Sequence, residues 1–399
     1  MNKNLVIVGG ARTAMAEYVG TPGYGLFKDV GANDLAAHAV SAALERSGVK
    51  PEQVGHVVIG NAMQTGADAI YGARHVGLKA GIPLEVPALT VNRLCGSGMQ
   101  SIVNAAHMIL VGEADVVVAG GMENMSQAPH VLRGGREGFR LGMAPKLEDA
   151  LFESLMDPFC GKFMAQTAEA LATKYGITRE QQDEFALRSH QLGSAAVQGG
   201  VFADEIAPLT VKRGRKEVVV DTDDHIRPDT TLEGLAKLRP AFGKDGTVTA
   251  GNASGIVDGA AAIIVTTEDK AKAEGWTIRA RLRSWGYAGV EPGIMGFGPV
   301  PSMQQAAEKA GIAIDAIDYI EINEAFSAQY LACEKVLELD RDKCNVNGGA
   351  VAIGHPLGAT GTRLVLTLMH QLERSGKQTG MASACIGGGQ GIAVLIERA

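Results

Sequence analysis

The sequence predicts a repeated α/β protein: two similar halves of strands and helices, with a more polar segment inserted into the first. Three observations carry this. Apolar strand-like runs alternate with amphipathic helical segments over residues 5–121, which indicates a largely parallel sheet covered by helices. The texture turns polar over residues 126–247, and a buried-strand pattern returns at 260–265. The remainder then repeats the order of the first part. At 399 residues the chain also exceeds what one ordinary core accommodates.

Leu5-Val6-Ile7-Val8 reads as a strand ending at Gly9-Gly10. Residues 34–46 carry Leu35, Ala36, Val40, Ala43 and Leu44 at helical spacing, and Gly48 stops that helix. Val57-Val58-Ile59 is a buried strand closing on Asn61. Asn92-Arg93-Leu94-Cys95-Gly96-Ser97-Gly98 forms a polar turn that opens an apolar helix over 101–110. A strand at 116–119 follows, closed by Gly120-Gly121. Within 126–247, helices are expected at 166–175 and 179–190. The basic clusters there (Arg133, Arg136, Arg140; Lys212, Arg213, Arg215, Lys216) read as solvated faces of a surface-facing insertion.

The repeat is specific. Ala306-Ala307-Glu308-Lys309-Ala310-Gly311 followed by Tyr319-Ile320-Glu321-Ile322-Asn323 matches Ala43–Gly48 followed by the strand to Asn61. Gly354-His355-Pro356-Leu357-Gly358 then opens an apolar helix over 362–372, at the place the Cys95 turn holds in the first half. A last strand, 381–385, runs into Ile386-Gly387-Gly388-Gly389. Cys95 and His355 therefore occupy equivalent ends of equivalent elements.

Composition narrows the chemistry. A net charge of −7 and a pI near 5.8 give no overall nucleic-acid footprint, although a local basic patch for an anionic ligand remains compatible. Five cysteines (95, 160, 333, 344, 385) form no C-x-x-C pair, so neither a disulfide framework nor a zinc site is expected. A reducing compartment, the cytoplasm by default, fits that usage. Residues 1–10 lack the pattern of a secretory leader, and no run of about 18 apolar residues suggests a membrane partner.

Cys95 at a helix N-terminus is expected to have a lowered pKa and to act as a nucleophile; the alternative is a buried, inert cysteine. His355 alone is a loop histidine, and paired with Cys95 by the repeat it becomes a candidate base. Cys385 alone is a structural cysteine. Asn323 ends a strand, where α/β folds place ligand chemistry, and can orient a water or polarise a carbonyl; Glu324 reads as a cap for the next helix. No G-x-G-x-x-G, P-loop or G-x-S-x-G pattern occurs, so the glycines read as close backbone approach and free N–H groups for an oxyanion.

Four segments, around Cys95, Asn323-Glu324-Ala325-Phe326, Gly354-His355-Pro356 and Cys385-Ile386-Gly387, together resemble the active-site segments of the thiolases. Thr249-Ala250-Gly251-Asn252-Ala253-Ser254-Gly255 resembles their strand-turn facing coenzyme A. The resemblance covers essentially the whole chain. It implies the thiolase-like fold: two βαβαβαββ halves in α-β-α-β-α layers, with an inserted loop domain. The halves are expected at 1–125 plus 248–272 and at 273–399, and the insertion at 126–247.

The resemblance also implies thiolytic cleavage of 3-ketoacyl-CoA by CoA, or the reverse Claisen condensation, with CoA and acyl-CoA thioesters as partners and no separate cofactor or metal. Cys95 would carry the acyl group and His355 would take its proton. Cys385 would exchange a proton with the α-carbon. Asn323 would orient a water for one oxyanion hole, and the N–H groups of Cys95 and Gly387 would form the other. Ser254 matches a contact to the pantetheine arm, Ala250 of the same strand-turn is expected to bind substrate or CoA, Arg227, Thr230 and Phe242 match contacts to the nucleotide end, and Met164 and Met295 pocket residues. Phe163 departs from the His-Met pair of many short-chain members, which weakens strict acetoacetyl specificity. The segment 130–146 resembles the tetramerisation loop, implying a homotetramer built from dimers. A decarboxylating ketoacyl-synthase-type enzyme and a non-catalytic acyl-CoA-binding relative are the competing readings; Cys385 argues against the first and the four intact segments against the second.

Overall fold

A computed structural model describes residues 4–20 and 23–399; the expectation about the extreme N-terminus falls partly outside them. Nine strands form one continuous path. In chain order they are β1 (Leu5–Arg12), β2 (His56–Asn61), β3 (Ala88–Val91), β4 (Val116–Glu123), β5 (Val257–Thr267), β6 (Ala280–Gly289), β7 (Tyr319–Ile322), β8 (Thr379–Ile386) and β9 (Gln390–Arg398). Their order across the path is β7-β8-β9-β6-β1-β5-β4-β2-β3, and β2-β4-β5-β1 of the first half corresponds to β7-β8-β9-β6 of the second. Within the sheet, among the described residues, the halves pair at Val6 with Arg281 and Ile7 with Ala280.

The sheet is mixed rather than largely parallel. Pairings of β2 with β3 and β4, and of β7 with β8, are parallel. The centre, from β8 through β9, β6, β1 and β5 to β4, is antiparallel. Burial on both faces makes strands of either direction read as continuous apolar runs, so the sequence pattern carries no strand direction.

Seven main helices cover the sheet: α1 (Ala32–Ser47), α2 (Ser97–Val111), α3 (Met164–Tyr175), α4 (Arg179–Gln198), α5 (Pro299–Ala310), α6 (Ser327–Leu337) and α7 (Leu357–Ser375). Alternation along the strands shows the layering. Val6, Val8, Val116, Val118 and Ile264 face α1 on one side. Ile7, Val117, Ile263 and Val265 face α2 and α7 in the middle, together with Ala384, Ile386, Ile392 and Val394 of the second half. Met381, Ala393 and Leu395 face α5 and α6 on the far side. Each Val, Ile, Leu or Met among them contributes about 1.5–3 kcal/mol on burial.

The repeat extends to detail. Gly48 and Gly311 both end their helices in the left-handed conformation, at φ 71° and 67°. The segment Leu94–Val111 is apolar enough to cross a membrane by length and composition, but here much of it is buried between the two halves.

The inserted region is less peripheral than its polarity suggests. Small residues Ala165, Ala168 and Ala172 let α3 pack into the core of the second half beside Tyr330 and Leu331. Phe202, Ile206 and Val211 join the core of the first half. The insertion thus closes over both halves, directly above the strand ends that carry the candidate residues.

In the middle layer α2 and α7 meet backbone to backbone. A Cβ on Gly98 would lie 2.6 Å from the Thr362 nitrogen, and one on Gly361 2.3 Å from the Met99 nitrogen. One on Gly121 of β4 would lie 1.9 Å from the Gly358 oxygen.

Candidate active site

Cys95 lies in a 3-10 turn, Leu94–Gly96, that runs directly into α2. Leu94 holds a positive φ of 45°, unfavourable for a side chain of its size. Its neighbours enforce it: the Leu94 N–H donates to Asn92 Oδ1 at 2.9 Å, and the Ser97 hydroxyl donates to the Leu94 carbonyl at 2.6 Å. Gly96 lets the turn sit against Ile386 and Ile392, since a Cβ there would come within 2.5 Å of Ile386. That approach sets Cys95 beside the β8–β9 turn, and the N–H groups of Gly387 and of Cys95 itself point at the sulfur.

The expected lowering of the Cys95 pKa is not what the structure gives. Burial pushes the thiol up to about 11, outweighing the two N–H groups, and the nearby Glu123 carboxylate adds to the rise. The helix N-terminus is present as expected; desolvation of the sulfur wins over it. The resting thiol is therefore protonated and needs a base.

His355 is buried, and its backbone N–H donates to the Gly255 carbonyl at 2.9 Å. Its Nδ1 lies 2.6 Å from the Thr360 hydroxyl, whose single proton points to the Pro356 carbonyl at 3.0 Å. A hydroxyl that donates to the Pro356 carbonyl accepts from Nδ1, an arrangement that leaves the lone pair on Nε2. Nε2 faces the Asn323 side-chain nitrogen at 3.3 Å. Burial, and then the charge of Arg363, push His355 down to about 3, so it is neutral and free to accept a proton.

Parallel pairing of β7 with β8 brings two strand ends together. Ile322 pairs with Ser383, the Asn323 N–H continues to the Ser383 carbonyl at 2.8 Å, and Cys385 lies just beyond. Among the described residues, none makes a hydrogen bond to the buried Asn323 Oδ1. Cys385 is fully buried against Met295, Ala325, Met164 and Phe326. Burial holds Cys385 well above the usual thiol range, and a thiolate on the nearby Cys95 would raise it further. Glu324 does not cap α6. Its carboxylate accepts from Asn345 at 2.8 Å, Ser189 at 2.6 Å and the Val351 N–H at 3.1 Å, tying α4 of the insertion to the strand end.

Three cavities run in series to this point. The outermost, about 360 Å³, is lined by His190, Arg227, Thr230 and Ala250. Ala250 is shared with a middle cavity of about 220 Å³ that also holds Phe242, Ser254 and Phe163. Leu155 and Met164 are shared between the middle cavity and an inner one of about 190 Å³, lined by Cys95, Leu94, Leu357 and Gly387. Every residue expected from the sequence to bind substrate lies on this path except Met295, which is buried behind it beside Cys385. Phe163 stacks on Phe242 at 4.9 Å and lies 4.8 Å from Phe152, an apolar wall where a histidine would be polar. Among the described residues, no group of three or more His, Cys, Asp or Glu is arranged to hold a metal.

Residues 5–269 match the model of the thiolase N-terminal domain, and residues 276–398 that of the thiolase C-terminal domain. The chain belongs to the thiolase family. The human mitochondrial 3-ketoacyl-CoA thiolase is 51% identical over 395 residues, 99% of this chain and 98% of that protein. An acetyl-CoA acetyltransferase of Cupriavidus necator is 46% identical over 396 residues, 99% of each chain. Among solved structures, the human mitochondrial thiolase in complex with CoA superposes with a TM-score of 0.96 at 51% identity, covering 100% of this thiolase and 98% of that chain. The acetyl-CoA acetyltransferase of Bacillus anthracis gives 0.96 at 46% identity, covering 100% and 99%.

Sequence reasoning missed several buried acids and bases of this thiolase. Glu123 accepts from Asn61, Met63 and Gly358, each at 2.9 Å, and burial pushes it up to about 7. Arg363 and Glu321 lie behind His355 and Asn323. Glu123 directly follows the buried strand pattern that closes on Gly120-Gly121, a position that mirrors the candidate residues of the second half.

Proposed function

We propose that this thiolase is an acyl-CoA C-acyltransferase that cleaves 3-ketoacyl-CoA with CoA through an acyl-Cys95 intermediate and runs the reverse condensation. The observation that carries it is one cavity path ending at Cys95, on a helix start that packs backbone to backbone against the start of α7 just beyond His355, with Cys385 near enough to feel the charge state of Cys95.

The chemistry follows from those states. Cys95 Sγ attacks the 3-keto carbon while His355 Nε2 takes its proton, with the N–H groups of Cys95 and Gly387 as donors to developing negative charge. Each such donor contributes about 3 kcal/mol to the transition state. Because the thiol sits near 11 and the imidazole near 3, a resting ion pair is disfavoured, and the proton moves as the carbonyl is attacked. The C2–C3 bond then breaks with its electron pair on C2, and the enolate of acetyl-CoA takes the Cys385 proton. Asn323 Oδ1, lacking a partner among the described residues, supports a water there as the enolate's donor. An incoming CoA thiol gives its proton to Cys385 and its sulfur takes the acyl group, while His355 returns the first proton to Cys95.

The inner cavity, about 190 Å³ and lined largely by Leu94, Leu155, Met156, Pro158 and Met164, supports acyl groups longer than acetyl. The outer cavity, with Arg227, suits the anionic nucleotide end of CoA. We propose a homotetramer built from dimers, supported by the exposed Leu141, Met143 and Leu147 between and beside the short strands His130–Leu132 and Leu147–Asp149. Five free cysteines support a reducing compartment, with the cytoplasm proposed. The test is intact-mass analysis after mixing with a C4 to C16 series of 3-ketoacyl-CoA without CoA. An acyl adduct on Cys95 is expected, and an adduct elsewhere or none overturns the reading.

A further inference from the structure

A buried ion cluster lies behind the base. Arg363 of α7 is 1% exposed, and its Nη1 lies 3.7 Å from Glu321 of β7, itself 2% exposed. Among the described residues, both terminal nitrogens of Arg363 and Oε2 of Glu321 lack a hydrogen bond. This differs from the neighbouring Arg12, which makes bonds of 2.7 and 2.9 Å to Asp223 and one of 3.4 Å to Glu205. Glu205 also accepts from Thr367 at 2.8 Å. Asp223 and Glu205 are thus engaged by Arg12 and Thr367, and among the described residues Arg363 keeps one distant ion-pair partner, Glu321.

Its placement is regular. Thr360, three residues before Arg363 on α7, accepts the His355 Nδ1 proton. Asn323, two residues after Glu321 along β7, faces His355 Nε2. The helix and strand therefore form two rungs, His355 with Asn323 and Arg363 with Glu321, and the cation sits one rung behind the base. Among the described residues, Arg363 is the one charged group acting on His355. Around Arg363 lie Glu321 on β7, Arg12 on β1, and Glu205 and Asp223 of the insertion.

We propose that Arg363 is a positioning residue for His355: its poorly compensated charge, fixed behind the imidazole by Glu321, keeps the base unprotonated at rest and drives the borrowed proton back to Cys95. A reversible acyl transfer needs this second property, since a base that retained the thiol proton would stall acyl release. Glu321 reinforces the arrangement, because burial pushes its carboxyl up to about 8 and leaves it a weak counter-ion near neutrality.

The inference rests on His355 as the base, which His355→Ala tests separately by loss of Cys95 acylation at every pH. The measurement for Arg363 is the pH profile of kcat/KM for acylation, with histidine NMR titration of His355. Wild type should show no acidic limb above about pH 5. The double variant Glu321→Gln/Arg363→Met removes the cation together with its carboxyl partner, and should raise the limb and the His355 titration by about one pH unit. Arg363→Lys, which keeps the charge, should retain the wild-type profile. A folded double variant with an unmoved limb, or a lysine variant whose limb moves as far, overturns the proposal. If the double variant does not fold, a moved limb in the lysine variant overturns it equally, while an unmoved one with Glu321→Gln at or below the wild-type limb upholds it.

Discussion

Thr360→Val tests the tautomer on which the base depends. The substitution keeps the shape of a fully buried side chain and deletes the hydroxyl that accepts from His355 Nδ1 at 2.6 Å and donates to the Pro356 carbonyl at 3.0 Å. A buried donor left without a partner costs about 1–3 kcal/mol. That is comparable to what holds the proton on Nδ1 instead of Nε2. With the proton on Nε2 the imidazole donates toward Asn323 and has no lone pair facing the site. Since about 1.4 kcal/mol corresponds to tenfold in rate, acylation of Cys95 should slow by about 10- to 100-fold. Stability should fall by about 1–3 kcal/mol. Single-turnover acylation followed by intact mass measures the first, urea denaturation the second, and ¹⁵N histidine spectra read the tautomer directly. Thr360→Ser, which restores the hydroxyl, should recover most of the rate. Wild-type acylation in the valine variant, or failure of the serine variant to rescue, would refute the assignment of Nε2 as the base.

Other expectations test separate parts of the site. Cys385→Ser should still acylate at Cys95 but lose condensation of acetyl-CoA; unimpaired condensation rules out its acid–base role. Leu155→Trp, at the junction of the inner and middle cavities, should lower kcat/KM for long acyl chains by about tenfold while leaving acetoacetyl-CoA within about twofold, and equal losses across the series would contradict the acyl pocket. Glu123 titrates near 7 folded against 4.5 unfolded, so the folded state binds the extra proton between those values. Its contribution is full below pH 4.5 and is lost as pH rises through 7. Wild type should therefore lose about 2.5 kcal/mol more than Glu123→Gln between about pH 5 and pH 8, read from denaturation midpoints.

The helix stops at Gly48 and Gly311 and the strand-end asparagines were legible because they recur at matching places in both halves. That recurrence, more than any single motif, linked Cys95 to His355. Strand direction was not legible, since a strand buried on both faces reads alike whichever way it runs. Nor was the sign of the Cys95 shift. The helix terminus is local in sequence, whereas the desolvation that overrides it comes from packing by the β8–β9 turn nearly 300 residues away. Glu123, Glu321 and Arg363 escaped notice for a related reason. A charged residue in a sequence reads as surface until the fold encloses it, and these three are enclosed by elements from distant parts of the chain.

The glycine contacts between α2 and α7 have a further consequence. Side chains at a helix crossing act as compliant spacers, and exchanging them moves the axes. Here Gly98 and Gly361 leave no spacer, so the distance between the two helix starts is set by backbone thickness alone, while Gly121 and Gly358 seat α7 just as closely on the strands beneath it. The thiol and the imidazole stand on those starts, while the acyl pocket is walled largely by the insertion. Substitutions that reshape the pocket therefore do not disturb the nucleophile–base spacing, and chain-length preference can drift between descendants without the chemistry having to be reinvented.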